Sequence, residues 1–151
     1  MPRVLIIIGS QSDQEYAKQC REQLTAFKIE GEIEVCSAHR HPQRTAELTS
    51  HAEQEGFEII VAMAGLAAAL PGVAAAHSQL PVIGVPLPAA LGGMDALLAT
   101  TQMPPGVPVA AMAIGMPGAK NAAVMAARIL ALKYPAIKAE LKKFTDALQK
   151  K

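Results

Sequence analysis

Apolar side chains run unbroken through Val4-Leu5-Ile6-Ile7-Ile8 and stop at Gly9-Ser10, the pattern of a short strand buried on both faces. The period then changes. Between Asp13 and Lys28, Tyr16, Ala17, Cys20, Leu24 and Phe27 recur at helical spacing, and Ser12-Asp13-Gln14-Glu15 fits a capping box at the helix start. Gly31 closes the connection to a second strand, where Ile33 and Val35 alternate with Glu32 and Glu34, one polar face turned towards a sheet edge. Ser37 to Pro42 forms a loop, and Pro42 opens a helix predicted to run to about Glu55 before Gly56 stops it. Phe57 to Met63 is a third strand, followed by an Ala-rich packing segment from Leu66 to Ser78. Pro81 to Val85 is a fourth strand, Asp95 to Thr101 a short helix, Val109 to Ile114 a fifth strand and Ala119 to Leu132 a helix. Beyond Pro135 a last helix carries Ile137, Leu141, Phe144 and Leu148 on one face.

Strands alternating with helices imply right-handed crossovers and an α/β fold whose parallel sheet is covered on both sides. Ligands of such sheets bind beyond the carboxyl ends of the strands. The segments to inspect are therefore Gly9-Ser10, Ser37 to Arg40, Ala64-Gly65, Pro86 onward and Gly115 onward.

A chain of 151 residues fits one domain, 1–151, able to bury roughly two-thirds of its unfolded surface. With 51% hydrophobic residues but only 3% aromatics and no Trp, small aliphatic side chains must fill the core and permit close backbone approach. From Val61 to Ala119 the single charged side chain is Asp95, which suggests central strands plus surface buried against other subunits. Gly, Pro, Ser, Gln and His interrupt that run before it reaches the ~18 apolar residues of a membrane span. Met1-Pro2-Arg3 leads directly into a strand with no signal peptide, so a cytoplasmic protein is expected. Cys20 and Cys36 belong to no Cys-x-x-Cys pair and read as small core hydrophobes. A net charge of +1, with lysines clustered only in the terminal helix, argues against nucleic acid as partner.

Two strand tips carry candidate chemistry. Gly9-Ser10-Gln11-Ser12-Asp13 offers a turn, two hydroxyls and a carboxylate at a helix N-terminus, where backbone N–H groups favour an anion and a carboxylate can accept from sugar hydroxyls. A ribose phosphate suits both, although Ser12 and Asp13 would serve equally as plain helix caps. The segment is neither a Walker loop nor a Gly-x-Gly-x-x-Gly turn. Ser37-Ala38-His39-Arg40-His41-Pro42 combines a hydroxyl, an imidazole near its working pKa and a guanidinium suited to phosphate, with His41 read as a bystander. The four histidines do not assemble a metal site: His51 falls mid-helix, His77 near a helix end, and no carboxylate stands at ligand spacing. No Gly-x-Ser-x-Gly elbow points to a hydrolase.

In this order the segments resemble the PurE family, which comprises N5-carboxyaminoimidazole ribonucleotide mutases and the catalytic subunits of phosphoribosylaminoimidazole carboxylases. The matching stretches are Ile8 to Asp13, Ser37 to Arg40, Ala64-Gly65 with Leu70-Pro71-Gly72, Pro81 to Pro86, Gln102 to Ala110, and Ala119 to Ala123, spanning about Pro2 to Leu132. The resemblance implies a flavodoxin-like three-layer sandwich with a C-terminal helix, residues 135–151, packed on a neighbouring subunit of a homo-octamer. It implies Ser10, Ser37 and Arg40 for the substrate phosphate, Asp13 for the ribose, Gly65 and Leu70 as further substrate contacts, and His39 as acid/base. It also implies the mutase reaction of purine biosynthesis without metal, biotin, ATP or other cofactor.

The sequence departs from that pattern in one stretch above all. Ala69 stands where the family usually has a histidine before Leu-Pro-Gly. Met63 is bulkier than expected, Leu87 to Leu91 lacks the usual polar residues, and Met116-Pro117 replaces a Lys-Ala-like pair. Two alternatives therefore stand beside the mutase: a catalytically weakened or engineered octameric scaffold, and a direct carboxylase of aminoimidazole ribonucleotide. Arg40 following His39 is the feature that leans to the mutase branch.

Overall fold

The computed structural model describes residues 1–151. Five strands, β1 (Arg3–Ile8), β2 (Glu30–Val35), β3 (Phe57–Ala64), β4 (Val82–Pro86) and β5 (Ala110–Ala111), form one sheet in the order β2-β1-β3-β4-β5. Every pairing is parallel. Six helices connect and cover them: α1 (Gln14–Ala26), α2 (Pro42–His51), α3 (Ala69–His77), α4 (Met94–Thr101), α5 (Met116–Leu130) and α6 (Pro135–Gln149). This is the flavodoxin-like strand order, with its topological switch between β1 and β3.

The continuous apolar run of β1 is explained by the alternation of side chains across a sheet covered on both sides. Val4, Ile6 and Ile8 join Ile59, Val61 and Met63 in one core with residues of α1, α5 and α6. Leu5 and Ile7 join Ile60, Ala62 and Ala64 in a second core on the opposite face, with Ala74 of α3 and Ala96 of α4. The alanines of α5, Ala119, Ala122, Ala123, Ala126 and Ala127, are all fully buried, which is how a core almost without aromatics closes up. The polar alternation of β2 places it at the sheet edge, as its glutamates suggest.

Several boundaries differ from expectation for local reasons. Gly31 lies inside β2, where a Cβ would stand 3.2 Å from Arg21 Cγ and Leu24 Cδ1, so its missing side chain is what lets α1 lie close on the strand. The helix after Pro42 ends at His51, making that histidine terminal instead of central, and the chain turns back through Gly56 at φ 89°. Helix α5 starts at Met116, a turn early, because Pro117 is well suited to the first turn. The fifth strand shrinks to Ala110–Ala111: Pro104, Pro105 and Pro108 precede it without N–H donors, and the chain must turn at Gly115 into α5.

The last helix uses its apolar face on its own chain. Ile137 is buried, Leu141 and Phe144 pack on the first core, and the Phe144 ring meets Phe27 edge-on at 5.3 Å, while Leu148 stays 49% exposed. Lys28 and Glu140 close the same contact with an ion pair of 2.9 Å. Phe27→Ala should therefore lower stability by about 3 kcal/mol, read as a shift of the urea midpoint at constant slope; an unshifted midpoint would mean that α6 is not anchored through this ring.

Candidate active site

The register of the sheet sets its tips level. Ile8 pairs with Val35 on one side and Met63 on the other, and Met63 pairs with Val85. The segments leaving β1, β2, β3 and β4 therefore meet around one cleft of about 390 Å³. All seven residues singled out in the sequence, Ser10, Asp13, Ser37, His39, Arg40, Gly65 and Leu70, line it. The β5 tip does not: Gly115 N–H donates to Pro86 O at 2.9 Å and so backs the β4 tip from behind.

The turn after β1 is built differently from the expected capping box. A 3-10 turn, Gln11–Asp13, precedes α1, and its cap is Ser10, whose Oγ accepts from Ser12 N at 3.3 Å and from Ser12 Oγ at 3.0 Å. Asp13 makes no side-chain cap bond. Because a hydroxyl has one donor and two acceptor sites, Ser10 is left with its proton to give. Ser37 is in the same position: its Oγ accepts from Arg40 N at 3.2 Å, bracing the loop, and its proton remains available. Two free hydroxyl donors flanking one cleft suit an anionic ligand.

Burial pushes the Asp13 carboxyl above its ordinary value of 3.8, and a hydrogen bond with the Ser10 backbone opposes the rise only in part. His39 and Arg40 are exposed on the opposite wall. Arg40 stays out of the ion pairs that occupy its neighbours, since Arg44 binds Glu34 at 3.0 Å and Val35 O at 2.7 Å, and Arg3 binds Glu32 at 2.6 Å. His41 is the residue before α2 and lies in an adjoining shallow groove with Arg44 and Glu47, on the other side of Arg40. His51 and His77 turn their Nδ1 atoms onto the carbonyls of Glu47 and Val73 within their own helices. No three His, Cys, Asp or Glu side chains gather as a metal ion requires.

The half of the cleft after β3 and β4 carries no charge. Ala64, Leu66, Ala68, Ala69, Leu70, Leu87, Pro88 and Ala89 line it, with Ala69 as the first residue of α3. Ala68 provides no side-chain cap, so the first-turn N–H groups of α3 lack that partner. Leu66 and Ala68 adopt left-handed backbone, φ 55° and 44°, at a cost of on the order of 1 kcal/mol each for residues with a Cβ. The sequence signalled the loops after β3 and β4 but neither of these left-handed residues, because Leu and Ala are not types that favour that conformation.

Residues 3–151 match the family model described as AIR carboxylase. The chain belongs to the AIR carboxylase family. The N5-carboxyaminoimidazole ribonucleotide mutase of Pyrococcus abyssi is 50% identical over 151 residues, covering 99% of this chain and 86% of the relative. The mutase of Saccharolobus solfataricus is 49% identical over 150 residues, covering 99% of this chain and 94% of its own. Among solved structures, Treponema denticola PurE superposes with a TM-score of 0.88 at 28% identity, covering 99% of this chain and 93% of that one. This AIR carboxylase family member thus shares the family's fold along its whole length, and no helix in it is long and apolar enough to cross a membrane.

The raised pKa of Asp13 makes its contribution to stability depend on pH. Its proton is held more tightly in the folded than in the unfolded chain, so its contribution is most favourable below 3.8 and falls as pH rises through the raised folded value. Asp13→Asn should therefore raise the urea midpoint at pH 7 and leave it unchanged near pH 3.

Proposed function

We infer that this chain is an N5-carboxyaminoimidazole ribonucleotide mutase, moving a carboxyl group from the exocyclic nitrogen to carbon 4 of the imidazole ring. The observation that carries the reading is the division of one cleft. Hydroxyls, a carboxylate, an imidazole and a guanidinium stand at the β1 and β2 tips, and an uncharged wall stands at the β3 and β4 tips. Two relatives near 50% identity that bear the mutase name support it.

In this reading Ser10, Ser37 and Arg40 hold the phosphate, and Asp13 accepts from the ribose hydroxyls. Gly65 and Leu70 contact the substrate from the β3 side. Cleavage of the N–carboxylate bond releases CO2, and the electron pair left on nitrogen takes a proton from His39. Carbon 4 of the electron-rich ring then attacks the retained CO2, and the neutral histidine removes the proton from that carbon. The sum is an isomerisation in which the proton count closes without a cofactor. The apolar wall keeps water from CO2, and a positioned imidazole contributes about 10²–10⁴ in rate.

Ala69, which lines the cleft at the start of α3, and the apolar segment from Leu87 to Leu91, whose first three residues line it too, support the weakened-scaffold reading. Ala69→His distinguishes the two: strong gain of turnover would mark a site weakened at that position. Bicarbonate dependence of the rate would instead favour direct carboxylation. We also assign the protein to a homo-octamer in the cytoplasm. The uncharged, exposed stripe of Leu91, Met94 and Leu98 supports the assembly, and two unpaired cysteines suit a reducing compartment.

Supplying the N-carboxylated ribonucleotide and following the C-carboxylated product tests the function; a rate no greater than the spontaneous one overturns it. His39→Ala should reduce kcat by at least about 100-fold with the fold intact, since the side chain is exposed. Arg40→Ala should leave kcat nearly unchanged and raise KM about 10- to 100-fold, the scale of one charge-assisted hydrogen bond. Leu98→Arg should dissociate the assembly in sedimentation experiments, and an unchanged sedimentation coefficient would remove α4 from the interface.

A further inference from the structure

Leu66 is disfavoured twice in the free chain. It is 61% exposed, so its side chain gains little from burial, and its φ of 55° lies where glycine is the comfortable residue. Its position is nevertheless fixed. Ala68 N–H donates to Gly65 O at 3.0 Å, and Gly65 packs so closely on the β4 tip that a Cβ there would stand 3.3 Å from Leu87 O. The loop is thus a braced rim holding an apolar side chain over the cleft, and its benefit must come when something covers that side chain.

The layout of the cleft indicates what does so. The groups able to hold a phosphate leave β1 and β2, whereas Leu66 leaves β3 and faces the same cavity with Leu70, Leu87 and Pro88. From β2 to β3, the strand that Leu66 follows, is two strand spacings, roughly 10 Å, a span bridged by a phosphate, a ribose and a small ring laid end to end. A ligand held by its phosphate at the polar end brings its ring to the uncharged end. We propose that Leu66 is a specificity-determining residue that closes over the face of the imidazole ring, selecting ring-bearing ribose phosphates over those without a ring. The proposal rests on the ribonucleotide reading of the site and assigns this residue the discrimination between its ligands.

Calorimetric titration of the whole protein with aminoimidazole ribonucleotide and with ribose 5-phosphate, which lacks the ring, tests it. Leu66→Ala and Leu66→Gly should each weaken the ribonucleotide about tenfold, ~1.4 kcal/mol, and leave ribose 5-phosphate within about twofold. Leu66→Gly should melt no lower than wild type, because glycine accepts the positive φ, so its loss of affinity cannot be ascribed to misfolding. Unchanged ribonucleotide affinity, or an equal loss for both ligands, overturns the proposal while the ribonucleotide reading stands. Equal losses accompanied by dissociation in sedimentation would instead assign Leu66 to a contact between copies. Wild-type protein that binds neither ligand overturns the ribonucleotide reading and this proposal together.

Discussion

Parallel pairing of β1 with two neighbours at once is the constraint on which the site depends. Ile8 is opposite both Val35 and Met63, so the chain leaves three adjacent strands at the same height. The turn at Ser10, the loop at Ser37 and the loop at Gly65 are level for that reason alone. A slip of one residue in β2 would turn its side chains to the other face and carry Ser37 and Arg40 out of line. What prevents the slip is the packing of Ile33 and Val35 of β2 against the first core, which a shift by one residue would exchange for Glu32 and Glu34. The hydrophobic core therefore serves the chemistry by aligning loops that themselves contribute little to stability.

The chemical polarity of the cleft follows from where charge is permitted in such a fold. The edge strand β2 carries Glu30, Glu32 and Glu34, and the loop after it carries His39 and Arg40, because one side of an edge remains in contact with water. Strands β3 and β4 are interior, and the helices that follow them, α3 and α4, carry one acidic residue between them, Asp95. A cavity spanning edge and centre inherits both environments. It holds a charged group at one end and an apolar one at the other without needing a buried ion pair, whose desolvation would be expensive.

How much could be read in advance depends on the same division between local and distant causes. Strand identity, strand order at the β2 edge and the gathering of Ser10, Asp13, Ser37, His39 and Arg40 all rest on apolar runs and on residue types that act close to their place in sequence. The exceptions need information from elsewhere in the fold. Gly31 resembles a turn residue until the approach of α1 is known, and β5 resembles a six-residue strand until three prolines and the turn at Gly115 are weighed against a single sheet partner. The Ser10 cap replaced the Ser12 capping box because the chain tightened into a 3-10 turn before α1, a choice between two neighbouring hydroxyls that local pattern does not separate. Leu66 and Ala68 are the extreme case, since their backbone conformation runs against their intrinsic preference and is imposed by the β3–α3 connection.

The two ends of the sheet divide stability from function. At the amino end, Arg3 lies 4.2 Å over the Phe57 ring while pairing with Glu32, and Glu58 accepts from Tyr134 at 2.6 Å and Lys133 at 3.0 Å, bonds that hold its carboxyl below the ordinary range against partial burial. These contacts tie β1, β2 and β3 to one another and to the segment before α6. At the carboxyl end the pattern inverts: Asp13 is partly buried without a cation, α3 begins without a side-chain cap, and two residues with side chains occupy left-handed backbone. Each of these features is unfavourable in the free protein, and a ligand that supplied hydroxyls to the carboxylate, acceptors to the helix N–H groups and a flat apolar face to Leu66 would offset them together. A fold braced at one end can tolerate that concentration of unmet interactions at the other, and their shared location on one cleft is itself an argument that a single molecule meets them all.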